Sequence, residues 1–330
     1  MGLHKLTAGD GYTYLTRQVA AADSTERGYA SLGEYYSAKG ESPGVWMGAG
    51  AGVLGVAGAQ VTETQMRNLF GQGVHPDADL IRADRMAHAW SAPAAEAATL
   101  LGARYPVSDA VPQWRTRLAD RYAAWNTAHK LPSNRPMPSD VRARIRTALA
   151  REMFTEQHGR GPLGPRELDG FIRQVSRPAS TAVAGYDLTF TPVKSVSTLW
   201  AIAPRPMAAA IEQTHHAAVT ATLTWLEQRV AYTRIGARGV AQVDTDGLTA
   251  AAFTHRDSRA GDPDLHTHVA VSNKVRVAGS QDRWLALDGR MIHRYAVAAS
   301  ELYNTLIEAE MTSRVGGRFA HRVVDSDTGE

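Results

Sequence analysis

The chain contains no cysteine. That absence removes disulfides, thiolate nucleophiles and cysteine-based zinc sites, so any metal must rest on His, Asp or Glu. No stretch approaches the ~18 uninterrupted apolar residues that a membrane-spanning helix requires. The N-terminal MGLHKLTAGDGYTYL has no basic segment leading into an apolar one, which argues against a secretory signal and makes the cytoplasm the expected location. The glycines from Gly48 to Gly55 lack the Gly-Lys-Ser/Thr ending of a nucleotide loop, so no nucleoside triphosphate site is read there. Nor is there a large excess of one charge. Lys and Arg number 36 against 33 Asp and Glu, a formal net charge of +3, which permits a nucleic-acid partner without demanding one.

What the chain does have is length and an ordinary apolar share: 330 residues, 44% of them hydrophobic. That is enough for one large domain or two modest ones around a sizeable core. Residues 2–7 read as a short strand, ended by the turn chemistry of Ala8-Gly9-Asp10-Gly11, with a helix expected to follow through Tyr12 and Tyr14. The glycine-rich stretch around Tyr35, Tyr36 and Trp46 reads as loop, and residues 60–70 as a short helix. Between residues 75 and 180 Ala and Arg dominate with helical spacing. Trp114, Leu118, Tyr122 and Trp125 share one face, and Val141, Ile145 and Leu149 share another behind a cap at Asp140. Arg collects here, at Arg142, Arg144, Arg146 and Arg151. This segment is read as a helical insertion between an N-terminal part, 1–74, and a C-terminal part, 181–330.

The C-terminal part alternates strand and helix. In Val183 to Phe190, Tyr186, Leu188 and Phe190 fall on one face and Gly185, Asp187 and Thr189 on the other. A helix is expected from about Met207 to Arg229, strands at about 248–255, 265–277 and 283–287, and a last helix at about 291–314 stopping at Gly316-Gly317. Strands separated by long helices predict an α+β domain, a sheet layer covered by a helix layer. The closing run Asp325 to Glu330 is polar and uncapped, as expected of a piece of a longer chain.

The strongest chemical pattern is His255 followed by Leu265-His266-Thr267-His268. On a strand, residues i and i+2 share a face about 6.5–7 Å apart, so His266 and His268 can converge on one ion. An antiparallel return through Arg256 to Asp264 would bring His255 beside them, and three neutral imidazoles leave coordination positions open for catalysis. Asp187, opposite the apolar face of its strand, can accept the outer N–H of a ligand imidazole or help deprotonate a nucleophile. Lys194, Ser195 and Ser197 follow it as potential phosphate contacts, with Arg256 and Arg259 as further DNA-binding candidates. Tyr12, Tyr14, Tyr29, Tyr35 and Tyr36 crowd the first 36 residues. A phenol of pKa ~10 attacks only when a base or a polarised phosphate assists, and is suited to a reversible phosphodiester intermediate. The neighbouring pair His215-His216 diverges by about 100° on a helix and is read as surface or packing.

Taken in order, these elements resemble the conjugative relaxases of the MobF family, which are His-hydrophobe-His endonucleases. Tyr12 and Tyr14 stand where that family has a strand, a turn and a tyrosine. Tyr35-Tyr36 ahead of Trp46-Met47-Gly48-Ala49-Gly50 looks like its second tyrosine pair. Asp187 to Ser197 matches its Asp-Leu-Thr-Phe to Lys-Ser-Val-Ser segment, and Leu265 to His268 its Leu-His-Thr-His strand, with His255 as the upstream third ligand. The match covers roughly residues 1–70 and 180–325.

The resemblance implies a palm-like two-layer antiparallel fold and metal-dependent nicking of single-stranded DNA at an origin of transfer bearing an inverted repeat. A tyrosine would join the 5′ phosphate and leave a free 3′ hydroxyl. It implies a divalent ion, Mg2+ or Mn2+, with Zn2+ or Ni2+ as alternatives that imidazole ligands suit. It implies relaxosome and coupling proteins as partners in plasmid mobilisation, in the bacterial cytoplasm, and usually a C-terminal helicase. The leading tyrosine, Tyr12, is favoured as nucleophile over Tyr14, with Tyr35 or Tyr36 serving a second cleavage. Two features depart from the family: Thr13 splits the first tyrosines, and segment 75–180 is longer than expected. Competing readings are a rolling-circle replication initiator, a three-His zinc hydrolase and a non-catalytic DNA-binding module.

Overall fold

The computed structural model describes residues 1–15, 43–106, 111–131, 137–176, 182–258 and 262–320. Its central element is a five-stranded antiparallel sheet. The strands are β1 (Gly2–Thr7), β2 (Val45–Met47), β3 (Val183–Phe190), β6 (Ala250–Asp257) and β7 (Pro263–Ser272), in the order β1-β3-β7-β6-β2. Two small hairpins lie beside it: β4 (Tyr232–Ile235) with β5 (Ala241–Asp244), and β8 (Lys274–Arg276) with β9 (Trp284–Ala286).

The alternation read in β3 sets the layers. Tyr186, Leu188 and Phe190 join Leu265, Val269 and Val271 of β7 in a core closed by Ile211, Val219, Leu223, Ala299, Tyr303 and Ile307. The last six come from two long helices, Arg205–Val230 and Gly289–Val315. Fully burying a Leu, Ile or Phe side chain contributes roughly 1.5–3 kcal/mol, so this apolar face fixes which side of every strand looks outward. A one-residue slip would turn the histidines of β7 into the core. The expected α+β architecture with an antiparallel sheet and a helix layer is what the structure has.

Two local expectations are corrected, and one further segment takes a form the sequence left open. The glycine-rich stretch read as loop contains β2, paired with β6 through Val45↔Ala252 and Met47↔Ala250, and the short helix Ala49–Val53. Its glycines serve close packing: at Gly48, with φ +87°, a Cβ would sit 2.2 Å from the Leu248 carbonyl oxygen. Lys194, Ser195 and Ser197, read as potential phosphate contacts, stand in the helix Lys194–Ile202. Asp140 lies in the first turn of a helix whose cap is Pro138.

Contacts divide the chain into two compact units, 1–105 with 183–330, and 106–182. Residues 75–105, read as the start of the insertion, belong to the first unit, as do the helices Ala78–Ala87 and Ala92–Ala97. The second unit has three helices among its described residues, Val111–Ala128, Ser139–His158 and Pro165–Val175. They enclose their own core of Trp114, Leu149, Ala150, Phe154, Leu168 and Phe171. Among the described residues no helix is long and apolar enough to cross a membrane.

Candidate active site

The outward face of the sheet gathers the chemistry. Antiparallel pairing sets His255 of β6 directly opposite His266 of β7, and His268 opposite Phe253 two pairs further along. The three rings lie 5.2–5.3 Å apart between centroids, and one ligand nitrogen from each falls within 4.8 Å of the others. The spacing read from the sequence thus becomes a cluster of three donors on one surface.

Each ring is held differently. Asp187, on the next strand, accepts from His268 Nδ1 at 2.8 Å through Oδ2 and at 3.1 Å through Oδ1. His266 Nδ1 donates to the Asp264 backbone carbonyl at 2.7 Å. Both bonds fix the tautomer and leave the other ring nitrogen bare, the arrangement that outer partners impose on metal-ligating imidazoles. His255 is buried, and its Nε2 has no hydrogen-bond partner. Burial, followed by the charge that His268 and His266 would add, pushes its pKa down to about 3; burial also lowers that of His266. Ring nitrogens converging on one point, one of them an unsatisfied buried atom, are a donor set that fits a divalent ion.

The tyrosine turn completes the face. Beyond β1 the chain reverses at Gly11, where a Cβ would lie 2.2 Å from the Thr7 carbonyl oxygen. Gly9 N–H is tied to the Gly71 carbonyl at 3.0 Å, in the π-helical turn Arg67–Gln72. Residues 12 and 14 then diverge as neighbours two apart on a helical turn must. Tyr12, on the same side as Leu15, is 6% exposed and enters the core. Tyr14 turns to the sheet: its hydroxyl donates to Asp187 Oδ2 at 2.5 Å, and its ring meets His268 edge-on with centroids 6.1 Å apart. Burial, then the Asp187 carboxylate, raises the phenol pKa well above its usual range. Thr189 donates to the same carboxylate oxygen at 3.4 Å. Of the two early tyrosines, the less favoured one is at the cluster. The Tyr12–Leu15 spacing of three, an apolar helical pair, was the signal that separates them.

Other candidates disperse. Tyr29, Tyr35, Tyr36 and Arg259 lie outside the described residues. Arg256 forms a two-pronged ion pair with Glu212, at 2.9 and 3.0 Å, and Trp200 donates to the same carboxylate. Lys194 bonds to Asp262 at 3.1 Å and to the Pro263 carbonyl at 2.7 Å, bracing the start of β7, and Ser195 is exposed. Ser197 is buried and accepts from Leu265 N–H at 3.2 Å.

The pair His215-His216 carries more structure than its spacing suggested. His215 is wholly buried on the helix side of the sheet, bonded to Tyr303 Oη at 2.8 Å and to Thr267 Oγ1 at 2.7 Å. Thr267 bonds to Thr254 at 2.9 Å, and Thr254 to His216 at 3.0 Å. This polar chain runs behind the ligand strands: Thr267 separates His266 from His268, and Thr254 precedes His255.

Comparison with known proteins adds a lineage. A family model described as the TrwC relaxase matches residues 8–330. The chain is 31% identical over 137 residues to the multifunctional conjugation protein TraI of Escherichia coli, a stretch covering 40% of this chain and 7% of that relative. It therefore spans a small part of TraI's length. Among solved structures, a copper-bound conjugative relaxase TrwC in complex with oriT DNA superposes with a TM-score of 0.50 at 20% identity. The superposition covers 98% of this chain and 73% of that one, and shows a shared fold. A metal-free TrwC–oriT complex gives 0.49 at 19% identity over 98% and 72%.

Proposed function

This chain belongs to the TrwC relaxase family, whose members are DNA strand-transferase endonucleases, and we propose that it nicks single-stranded origin-of-transfer DNA by transesterification with Tyr14 as nucleophile. One observation carries the assignment: Tyr14 and the ligand imidazole His268 share a single carboxylate, Asp187. A nucleophile and a phosphate-polarising centre must lie within reach of one scissile bond, and this carboxylate ties the two together.

In the resting site Tyr14 is protonated, and Asp187 is the acceptor toward which its proton already points. Loss of that proton to Asp187 as the phenolic oxygen bonds to phosphorus is general-base assistance. The new bond is a 5′-phosphotyrosyl ester; the bond that breaks releases a 3′ hydroxyl, which takes up one proton. Since this one step exchanges a phosphodiester for another, the free 3′ end can reverse it. His255, His266 and His268 would hold a divalent ion, which when bound withdraws charge from the scissile phosphate. Three imidazoles favour Mn2+, Zn2+ or Ni2+ over the oxygen-seeking Mg2+, so Mn2+ is the ion proposed for the assay and Mg2+ the comparison. On the same reading the substrate carries an inverted repeat, relaxosome and coupling proteins are the partners, and the site of action is the bacterial cytoplasm.

The test is intact mass after mixing the protein with Mn2+ or Mg2+ and single-stranded oligonucleotides from the origin region of its replicon. The expected result is a metal-dependent increase equal to the 3′ portion of one oligonucleotide, lost in Tyr14→Phe and kept in Tyr12→Phe. Loss in Tyr12→Phe alone would move the nucleophile to the buried tyrosine. DNA retained without any adduct would make the chain a binding module, and hydrolysis without an adduct would make it a hydrolase.

A further inference from the structure

The formal charge of the chain is unevenly divided. Between Pro106 and Ala182 there are 13 Lys and Arg against seven Asp and Glu, a net +6 in a chain whose total is +3. The unit bearing the three-His cluster is therefore net −3. A polyanion gains little long-range attraction from that unit, whereas the helical unit supplies it.

The helical unit also leaves part of its positive charge without acidic partners. Four of its seven acids are paired with particular arginines: Glu152 and Glu156 with Arg117, Glu152 with Arg121, Glu167 with Arg160 and Asp140 with Arg144. Arg142, Arg146 and Arg173 are three of six exposed arginines of this unit that have no acidic partner among the described residues. They form one ridge. Arg142 and Arg146 are four apart on Ser139–His158 and share a face. Arg146 donates to Ser176 Oγ at 3.1 Å, and Ser176 stands three residues beyond Arg173, at the end of Pro165–Val175. Two helices joined through that bond thus carry the three guanidinium groups. Arginine suits phosphate oxygens because its planar donors bind two at once.

We propose that this ridge, Arg142, Arg146 and Arg173, is a sequence-independent docking surface for the phosphodiester backbone of DNA, and that it carries much of the salt dependence of DNA binding by this chain. The proposal rests on the relaxase reading and adds to it a second place of contact, remote in sequence from the catalytic residues. Bases contribute nothing to it, so the same ridge serves single strands and duplexes.

The experiment is a salt titration of the full chain against a single strand and a duplex of unrelated sequence. For Arg142→Gln/Arg146→Gln/Arg173→Gln, the slope of log K against log salt falls by about 2 on single strands, roughly 0.7 per phosphate contact removed, and by slightly more on duplex. Arg142→Lys/Arg146→Lys/Arg173→Lys restores most of it. Arg205→Gln/Arg294→Gln/Arg318→Gln removes the same charge from exposed positions of the other unit and leaves the slope nearly unchanged. An unchanged slope in the ridge variant overturns the proposal, including the case in which that variant instead loses binding to phosphatidylserine vesicles. An equal drop in the control overturns it too, because the effect is then overall charge. Adduct formation at low salt is read in parallel. The ridge variant keeps it; its absence from the unsubstituted protein would count against the relaxase reading and leave the salt slopes to be judged alone.

Discussion

The two compact units treat ionisable side chains in opposite ways. In the unit with the His cluster, charge and polarity are drawn inward: Asp187 is 1% exposed, His255 6%, and His215 0%. In the helical unit the core of Trp114, Leu149, Phe154 and Phe171 is free of ionisable groups, and its ion pairs lie at the surface, as with Arg144 and Asp140 at 74% and 69% side-chain exposure. Buried groups bond to particular partners in a low-dielectric setting, where each substitution strands another atom. Surface charges act together through solvent, weakly and additively. The first unit should therefore respond to single substitutions in an all-or-none manner, and the second by degrees.

The largest effect is expected at Asp187→Asn. The amide keeps the shape but cannot take the Tyr14 proton, so the rate of adduct formation should fall about 10²- to 10⁴-fold, the usual worth of a general base. Single-turnover rates in Mn2+ measure this. A fall of less than about fivefold would mean that Asp187 only orients His268, and would remove the sharpest contrast between the units.

His255→Ala comes next. The site fits an ion partly because the buried His255 Nε2 lacks a partner, and deleting the ring removes a ligand together with an unsatisfied atom. Saturating Mn2+, at about 100 times its Kd, should stabilise the unsubstituted protein by about 2.7 kcal/mol through linkage. In His255→Ala that metal-dependent rise in Tm should vanish. The metal-free Tm should hold or increase. A metal response that survives the substitution would break the three-His assignment.

Much of this site was legible in the sequence, because its determinants are local. The period-two alternation at 183–190 and the His-Thr-His triplet specify faces without further information. The β6–β7 pairing followed from the short interval between His255 and His266. The strand β2 was missed because its glycines look like turn chemistry, while their purpose is the approach of Leu248, distant in sequence. The choice between Tyr12 and Tyr14 depends on the direction in which a turn buttressed by Gly71 points, a tertiary fact. The partners of Arg256 and His215 lie 44 and 88 residues away, beyond any local pattern.

His215 gives a smaller effect with a defined pH window. Burial, then the charge His216 and His266 would add, pushes its pKa down to about 3 from the ordinary 6.5. The folded state thus keeps it neutral, while the unfolded chain takes up a proton below about pH 6.5. Its contribution is complete above that pH and is lost as pH falls toward 3. In metal-free protein the urea midpoint should decline through this window, and His215→Gln should flatten the decline, being less stable near neutrality but closer to the original protein at low pH. Parallel curves would show that the buried polar chain is protonated without penalty.

The smallest effect belongs to the helical unit, and its smallness is what would sharpen the contrast. Arg117 reaches Glu156 at 2.7 Å and Glu152 at 2.8 Å, joining the helices Val111–Ala128 and Ser139–His158. By geometry alone it is the best-connected ion pair of that unit. The three side chains nonetheless remain 33–53% exposed, so water and salt screen them and ordering them costs side-chain entropy. Arg117→Gln should lower the Tm by about 1–2 °C at low salt, and by less near ~1 M salt, where the Debye length shrinks to about 3 Å. A larger loss that persists at high salt would mean that Arg117 acts through packing of its aliphatic stem. The helical unit would then depend on single residues as the catalytic unit does, and the division between buried and surface charge would no longer separate the two.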